Sequence, residues 1–126
     1  MTFGLLNNEY SVYKFDIKQT IDTNIFSNDF ISITKTEDEI SVVAISGSFR
    51  NYCEVEANWR ILKIIGTLNF NLVGIISKIS TILANVGISI FVLSTYNTDY
   101  IMVKNEKIND AIRILKEFGY EFKNEN

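Results

Sequence analysis

An α+β fold of two ferredoxin-like βαββαβ units, the first degenerate, with antiparallel sheets and helices on one face, is what the sequence predicts. Three observations carry that expectation. The C-terminal half reads as strand, helix, strand, strand, helix, strand. The chain partly matches itself when it is slid along until Phe30 falls on Phe91. A length of 126 residues holds one ordinary domain or two very small ones.

The C-terminal half is the more regular. Trp59–Leu68, "WRILKIIGTL", is rich in branched and aromatic residues and predicts a strand. Gly74–Val86 predicts a helix, because Ile75, Ile76, Ile79, Ile82, Leu83 and Val86 recur at steps of one, three and four. Gly87 just beyond is a helix-ending residue. Ile88–Thr95 and Tyr100–Lys104 predict a hairpin. Glu106–Phe118 predicts a second helix, with Ile108, Ala111, Ile112, Leu115 and Phe118 on one face and Gly119 as its stop. Tyr120–Lys123 makes a last short strand.

The N-terminal half is less regular. Tyr10–Phe15 predicts a strand, and Phe30–Thr36 with Glu39–Ile45 a hairpin around Glu37-Asp38. Asp16–Asn28 allows a weak helix through Ile17, Ile21 and Ile25. "GSFRNYCEVEAN" reads as loop, so a second helix is missing. Under the same shift that puts Phe30 on Phe91, Thr34 meets Thr95, Asp38 meets Asp99, Ile40 meets Ile101 and Val42 meets Val103. The expected modules are therefore residues 1–58 and 59–126. Units of about 60 residues are marginal alone, so the two are expected to pack together.

Composition removes several function classes. A net charge of −3 argues against nucleic acid and against an anionic membrane surface. No apolar run is long enough for a spanning helix, and Met1–Leu6 lacks the basic region and apolar core of a signal peptide. The single Cys53 has no internal disulfide partner, and a cytoplasmic location is expected. The absence of histidine removes the commonest general base, the commonest metal ligand and any Ser-His-Asp or Cys-His pair. No enzyme activity and no cofactor or metal are expected.

The segment "LKIIGTLNFNLVGIISKISTILANVGISIFVLSTYNTDYIMV" carries a resemblance, with "NWR" at Asn58–Arg60, "GISIF" at Gly87–Phe91 and "STYNTDY" at Ser94–Tyr100 as its most specific pieces. It resembles the small bacterial proteins built of two ACT-like modules, related to the regulatory tail of aspartokinases and to the tandem-ACT arginine sensor of animal cells. The resemblance is strong from Trp59 to Gly119 and weak before it. It implies a regulatory module that binds a free amino acid, reports to a partner enzyme and performs no catalysis. It also implies a homodimer or higher assembly, in keeping with strands that carry few edge-blocking charges. Relatives often carry an acid where this chain has Asn69.

The residues themselves suggest where such a ligand sits. The loop Asn69-Phe70-Asn71-Leu72-Val73 leads into a helix whose first N–H groups lack internal partners, which makes an anion site. Asn69 or Asn71 can equally be an N-cap. Asp99 is the best partner for an ammonium or guanidinium, supported by Ser94, Thr95, Asn97 and Thr98 in the same polar turn. The alternative is a turn that satisfies its own backbone. Phe91 and Tyr96 either wall a pocket or pack in the core, and Trp59 is expected to pack between the halves. Arg60 and Lys63 fall on opposite faces of their strand, and one of them is expected to pair with an acid such as Glu54 or Glu56. The ligand is expected at the interface between the two modules. The competing function is a ligand-free protein–protein interaction or oligomerisation module using edge residues such as Ile88, Ile90 and Val92.

Overall fold

A computed structural model of the protein describes residues 1–66 and 73–124. Its strands are β1 (Thr2–Leu5), β2 (Tyr10–Phe15), β3 (Ser32–Lys35), β4 (Ile40–Ile45), β5 (Glu54–Ile64), β6 (Ile90–Ser94), β7 (Asp99–Lys104) and β8 (Glu121–Asn124). Its α-helices are α1 (Ile75–Ala84) and α2 (Ile108–Glu117). The chain divides into two compact units, Asn8–Asn58 and Met1–Asn7 with Trp59–Asn126. The expected boundary at residue 58 left Met1–Asn7 in the first module; the structure puts those residues in the second unit. A four-residue strand is too short for a periodic signal, and its assignment comes from its partners.

In the larger unit the strands run β6-β7-β5-β1-β8. Leaving out β1, the chain order is βαββαβ with the crossover pattern of a ferredoxin-like fold. β1 is inserted antiparallel to β5 and parallel to β8, pairing Phe3 with Ile64 and Phe122. Phe3 is wholly buried and meets the rings of Tyr120 and Phe122 at 5.5 and 5.2 Å. Both helices lie on one face. Ile79, Ile82 and Leu83 of α1 and Ile108, Ala111 and Leu115 of α2 bury against Leu62, Ile64, Ile101 and Val103. The apolar spacing in the sequence dictates this, since steps of three and four put these residues on one stripe.

The two helices stop in the same way. Gly87 (φ 75°) and Gly119 (φ 94°) sit in the left-handed region. Ile88 N–H returns to the Leu83 carbonyl at 3.0 Å, and Tyr120 N–H to the Leu115 carbonyl at 3.1 Å. The glycine N–H groups bond the carbonyls of Ala84 and Lys116 at 3.0 Å. This is a Schellman motif with its hydrophobic contact, because Ile88 and Tyr120 both join the core of their helices.

In the smaller unit β3, β4 and β2 form an antiparallel sheet, joined beside β2 by the first residues of β5. Tyr13, Phe15, Ile40, Val42 and Ala44 make its core, covered by Ile17, Ile21, Ile31 and Phe49. Both expected irregularities resolve differently from the sequence reading. Instead of a helix over Asp16–Asn28 there is a 3-10 turn at Thr23–Ser27. Asp16 accepts the N–H of Lys18 and Asp22 that of Asn24, each at 2.9 Å, and these local bonds compete with helix formation. The "GSFRNYCEVEAN" segment is not all loop: Glu54–Asn58 opens β5, and Cys53 N–H donates 2.7 Å to the Lys14 carbonyl. Asn58, within β5, has φ 70°, a conformation that asparagine tolerates better than most residues.

The two hairpins are built alike. Thr36 N–H donates to the Glu39 carbonyl and Thr95 N–H to the Thr98 carbonyl, each at 2.9 Å. The hydroxyls of Thr36 and Thr95 receive the N–H groups of Glu39 and Thr98 at 3.2 and 3.4 Å. Thr36 is thus the counterpart of Thr95, a place the internal sequence match had given to Thr34. Asp38 therefore corresponds to Asn97, and Asp99 to Ile40. Across the sheet Val42 faces Tyr13 where Ile101 faces Leu62, so Tyr13 is the counterpart of Leu62. The chain from Tyr13 to Val42 is shorter than that from Leu62 to Ile101 by the length of α1 itself, 10 residues. In that connection the first unit holds only the 3-10 turn Thr23–Ser27 where the larger unit holds α1.

Candidate ligand-binding site

The βαββαβ order brings three connections to one end of the larger unit: β5 to α1, β6 to β7, and α2 to β8. Thr98 ties the first two together. Its hydroxyl, in a residue only 4% exposed, donates 2.7 Å to the Ile64 carbonyl at the end of β5. The β6–β7 turn is thereby held against the point from which the chain departs toward α1. The other polar groups of the turn also have local partners. Ser94 donates to the Asp99 carboxylate at 2.6 Å, and the Thr95 hydroxyl donates to the Thr98 carbonyl at 3.2 Å. The pile-up of hydroxyls is thus used in shaping a two-residue turn, with Tyr96 and Asn97 exposed at its tip.

At the start of α1 the N-cap position is Gly74, φ 79°, which has no side chain to cap with. No acid stands in the first turn. Lys78 instead occupies the helix start, where a cation opposes the positive end of the helix dipole. A cavity of about 390 Å³ opens here, lined by Val73, Gly74, Ile75 and Lys78, and by Met1, Phe118, Gly119 and Tyr120. Val73 and Phe118 are 89% and 57% exposed. Burial pushes the Tyr120 hydroxyl above the usual tyrosine range, so at neutral pH it is a neutral hydrogen-bonding group.

Of the site residues named from sequence, Asn69, Phe70, Asn71 and Leu72 lie outside the described residues. Val73 lines the cavity; Phe91, Thr95, Asn97, Thr98 and Asp99 do not. Phe91 lies on β6 with its ring 6.1 Å from Trp59 in an edge-on contact, and Lys104 stands 4.6 Å over the Trp59 ring. The Arg60 guanidinium donates 3.0 Å to the Leu6 carbonyl, and Glu54 lies 3.8 Å from Lys14. Lys78, Phe118 and Tyr120 were not among the site residues expected from the sequence. Lys78 had a legible signal, a cation in a helix's first turn, whereas Phe118 and Tyr120 gain their place only when α2 returns beside α1. Among the described residues no group of carboxylates, cysteine or histidine is arranged to hold a metal, and no helix is long and apolar enough to cross a membrane.

The ACT domain model matches residues 54–117, just over half of the chain, and the protein belongs to the ACT-domain family. A second family model, describing an N-terminal domain, matches residues 8–48. Among solved structures, a protein of Agobacterium tumefaciens is 26% identical, with a TM-score of 0.88 over 99% of this chain and 93% of that one. A Vibrio cholerae protein described as a possible transport protein is 21% identical, with a TM-score of 0.70 over 93% and 88%. The ligand-free regulatory subunit of Thermus thermophilus aspartate kinase is 12% identical, with a TM-score of 0.64 over 91% and 95%. These last two likenesses are likenesses of fold. No curated protein matches the chain. The fold is that of paired ferredoxin-like ACT modules, the first degenerate, and ACT domains are small-molecule-binding regulatory modules.

Proposed function

We propose that this protein is a non-catalytic sensor of a free amino acid, working as a homodimer that reports to a separate enzyme. The observation that carries the reading is the end of the larger unit. There an α1 N-terminus without a side-chain cap at Gly74, the Lys78 ammonium and a small cavity lie together, and at the same end Thr98 fixes the β6–β7 turn to the end of β5. Helix-end N–H groups and Lys78 suit a carboxylate. The ligand spans from the Asn69–Val73 loop to the Thr95–Asp99 turn, where Asp99 takes its ammonium. An amino acid has roughly ten heavy atoms, and small ligands gain at most about 1.5 kcal/mol per atom. A dissociation constant of about 1 μM to 1 mM needs only about 4–8 kcal/mol, so a few charge-assisted contacts suffice.

The test is a melting-temperature screen of the twenty amino acids. At about 100 times its dissociation constant the right one adds about 2.7 kcal/mol, several degrees in melting temperature. If none of the twenty raises it, the chain is the ligand-free interaction module instead.

A further inference from the structure

The smaller unit contains a cup that this reading leaves unused. A cavity of about 440 Å³ lies wholly among residues of Asn8–Asn58. Phe15 and Ile25, both buried, form its floor, and the Phe49 ring stands edge-on to Phe15 with centroids 5.0 Å apart. The origin of the cup is the shortened connection. With Tyr13 as the counterpart of Leu62, Phe15 holds the place of Ile64, which in the larger unit packs in one core with both helices. Over Phe15 there is only the 3-10 turn Thr23–Ser27 and the stretch after β4, and these leave the cavity open.

The same turn carries a knob. Phe26 is 65% exposed, whereas its neighbour Ile25 is 6% exposed. A 3-10 turn rotates successive side chains by about 120°. With Ile25 turned into the floor, Phe26 is directed away from it, and its ring does not line the cup. An apolar hole and an exposed aromatic ring thus stand on one turn, and the backbone keeps the ring out of its own hole. A surface carrying both a knob and a hole is complementary to a second copy of itself about a two-fold axis.

The charges on the rim fit the same occupant. Asp22 and Arg50 both line the cup and both are exposed. Arg50 has no ion-pair partner among the described residues, and the Asp22 carboxylate accepts the Asn24 N–H at 2.9 Å. One acid and one cation on each rim give two opposite-charge pairs when two rims face each other.

We propose that the cup docks a second copy of this chain. The Phe26 ring of each protomer inserts over Phe15 and Phe49 of the other, and Asp22 pairs with the partner's Arg50. The proposal rests on the homodimer of the proposed function and names its contact surface. It does not depend on the ligand site at Val73–Lys78.

The test is sedimentation equilibrium of the full chain and three variants. Burying an aromatic ring contributes about tenfold or more in affinity and each dimer buries two, so Phe26→Ser should raise the dimer dissociation constant about a hundredfold. Arg50→Glu leaves two acids on each rim and Asp22→Lys two cations, so each variant alone should associate about tenfold or more weaker than wild type. An equimolar mixture of these two should recover the wild-type affinity, because one rim is then acidic and the other basic. A Phe26→Ser dimer within about threefold of wild type, less than one buried methylene contributes, would overturn the proposal and leave the homodimer standing. The cup would then be open to a small molecule or a different protein. A mixture that associates no better than either variant alone, with the circular dichroism of each unchanged, would overturn it as well. A wild-type chain that is monomeric at every concentration would overturn both the proposal and the homodimer.

Discussion

The Thr98 hydroxyl and the Ile64 carbonyl, far apart in sequence, are joined by a buried hydrogen bond of 2.7 Å. Replacing Thr98 with valine keeps the shape and removes the donor, leaving a carbonyl at the end of a core strand short of a partner. Thr98→Val should cost about 1–3 kcal/mol, read as a lower urea midpoint with an unchanged slope. Asn97→Ala, at the exposed tip one residue away, should stay within about 0.5 kcal/mol of wild type. Equal effects would mean that the bond does not anchor the turn.

In the proposed amino-acid site, Asp99 and Lys78 serve the ligand rather than the fold. Asp99 bonds Ser94 in an exposed pair, and Lys78 is exposed at the start of α1. Asp99→Ala and Lys78→Ala should each lower the unliganded melting temperature by no more than a degree or two. Each should also reduce or abolish the rise produced by the cognate amino acid. A full rise in both variants would remove these residues from the site.

The helix stops give a backbone prediction. Nothing lies within 4 Å of a Cβ built on Gly87 or Gly119, so alanine there meets no steric neighbour. The left-handed conformation alone should make Gly87→Ala and Gly119→Ala destabilising by roughly 1–2 kcal/mol. Thermal unfolding checks this, and a neutral effect at both would mean that the helix ends relax.

Assembly is measured directly by light scattering across a range of concentrations. A dimer mass is expected, persisting into the micromolar range. A monomer mass at every concentration would contradict the homodimer.

Much was determined by the sequence alone. The amphipathic spacing of Ile75–Val86 and Ile108–Leu115, with a glycine after each, specified both helices and their stops, because periodicity and capping act over a few residues. β2 was legible as Tyr10–Phe15, and the β6–β7 hairpin to within two residues at each end. The tertiary structure decided what depends on distant partners. Thr2–Leu5 is a strand only because β5 and β8 flank it. Asp16 and Asp22 spend their carboxylates on nearby N–H groups, so the segment through Ile17, Ile21 and Ile25 kept its apolar spacing without becoming a helix. The internal sequence match set Asp38 against Asp99, whereas the hairpin hydrogen bonds set it against Asn97, because backbone pairing and not side-chain likeness fixes which positions correspond. A residue's role in a site follows from which segments return beside it. Lys78 in α1 and Phe118 just past the end of α2 line one cavity because α2 packs back along α1.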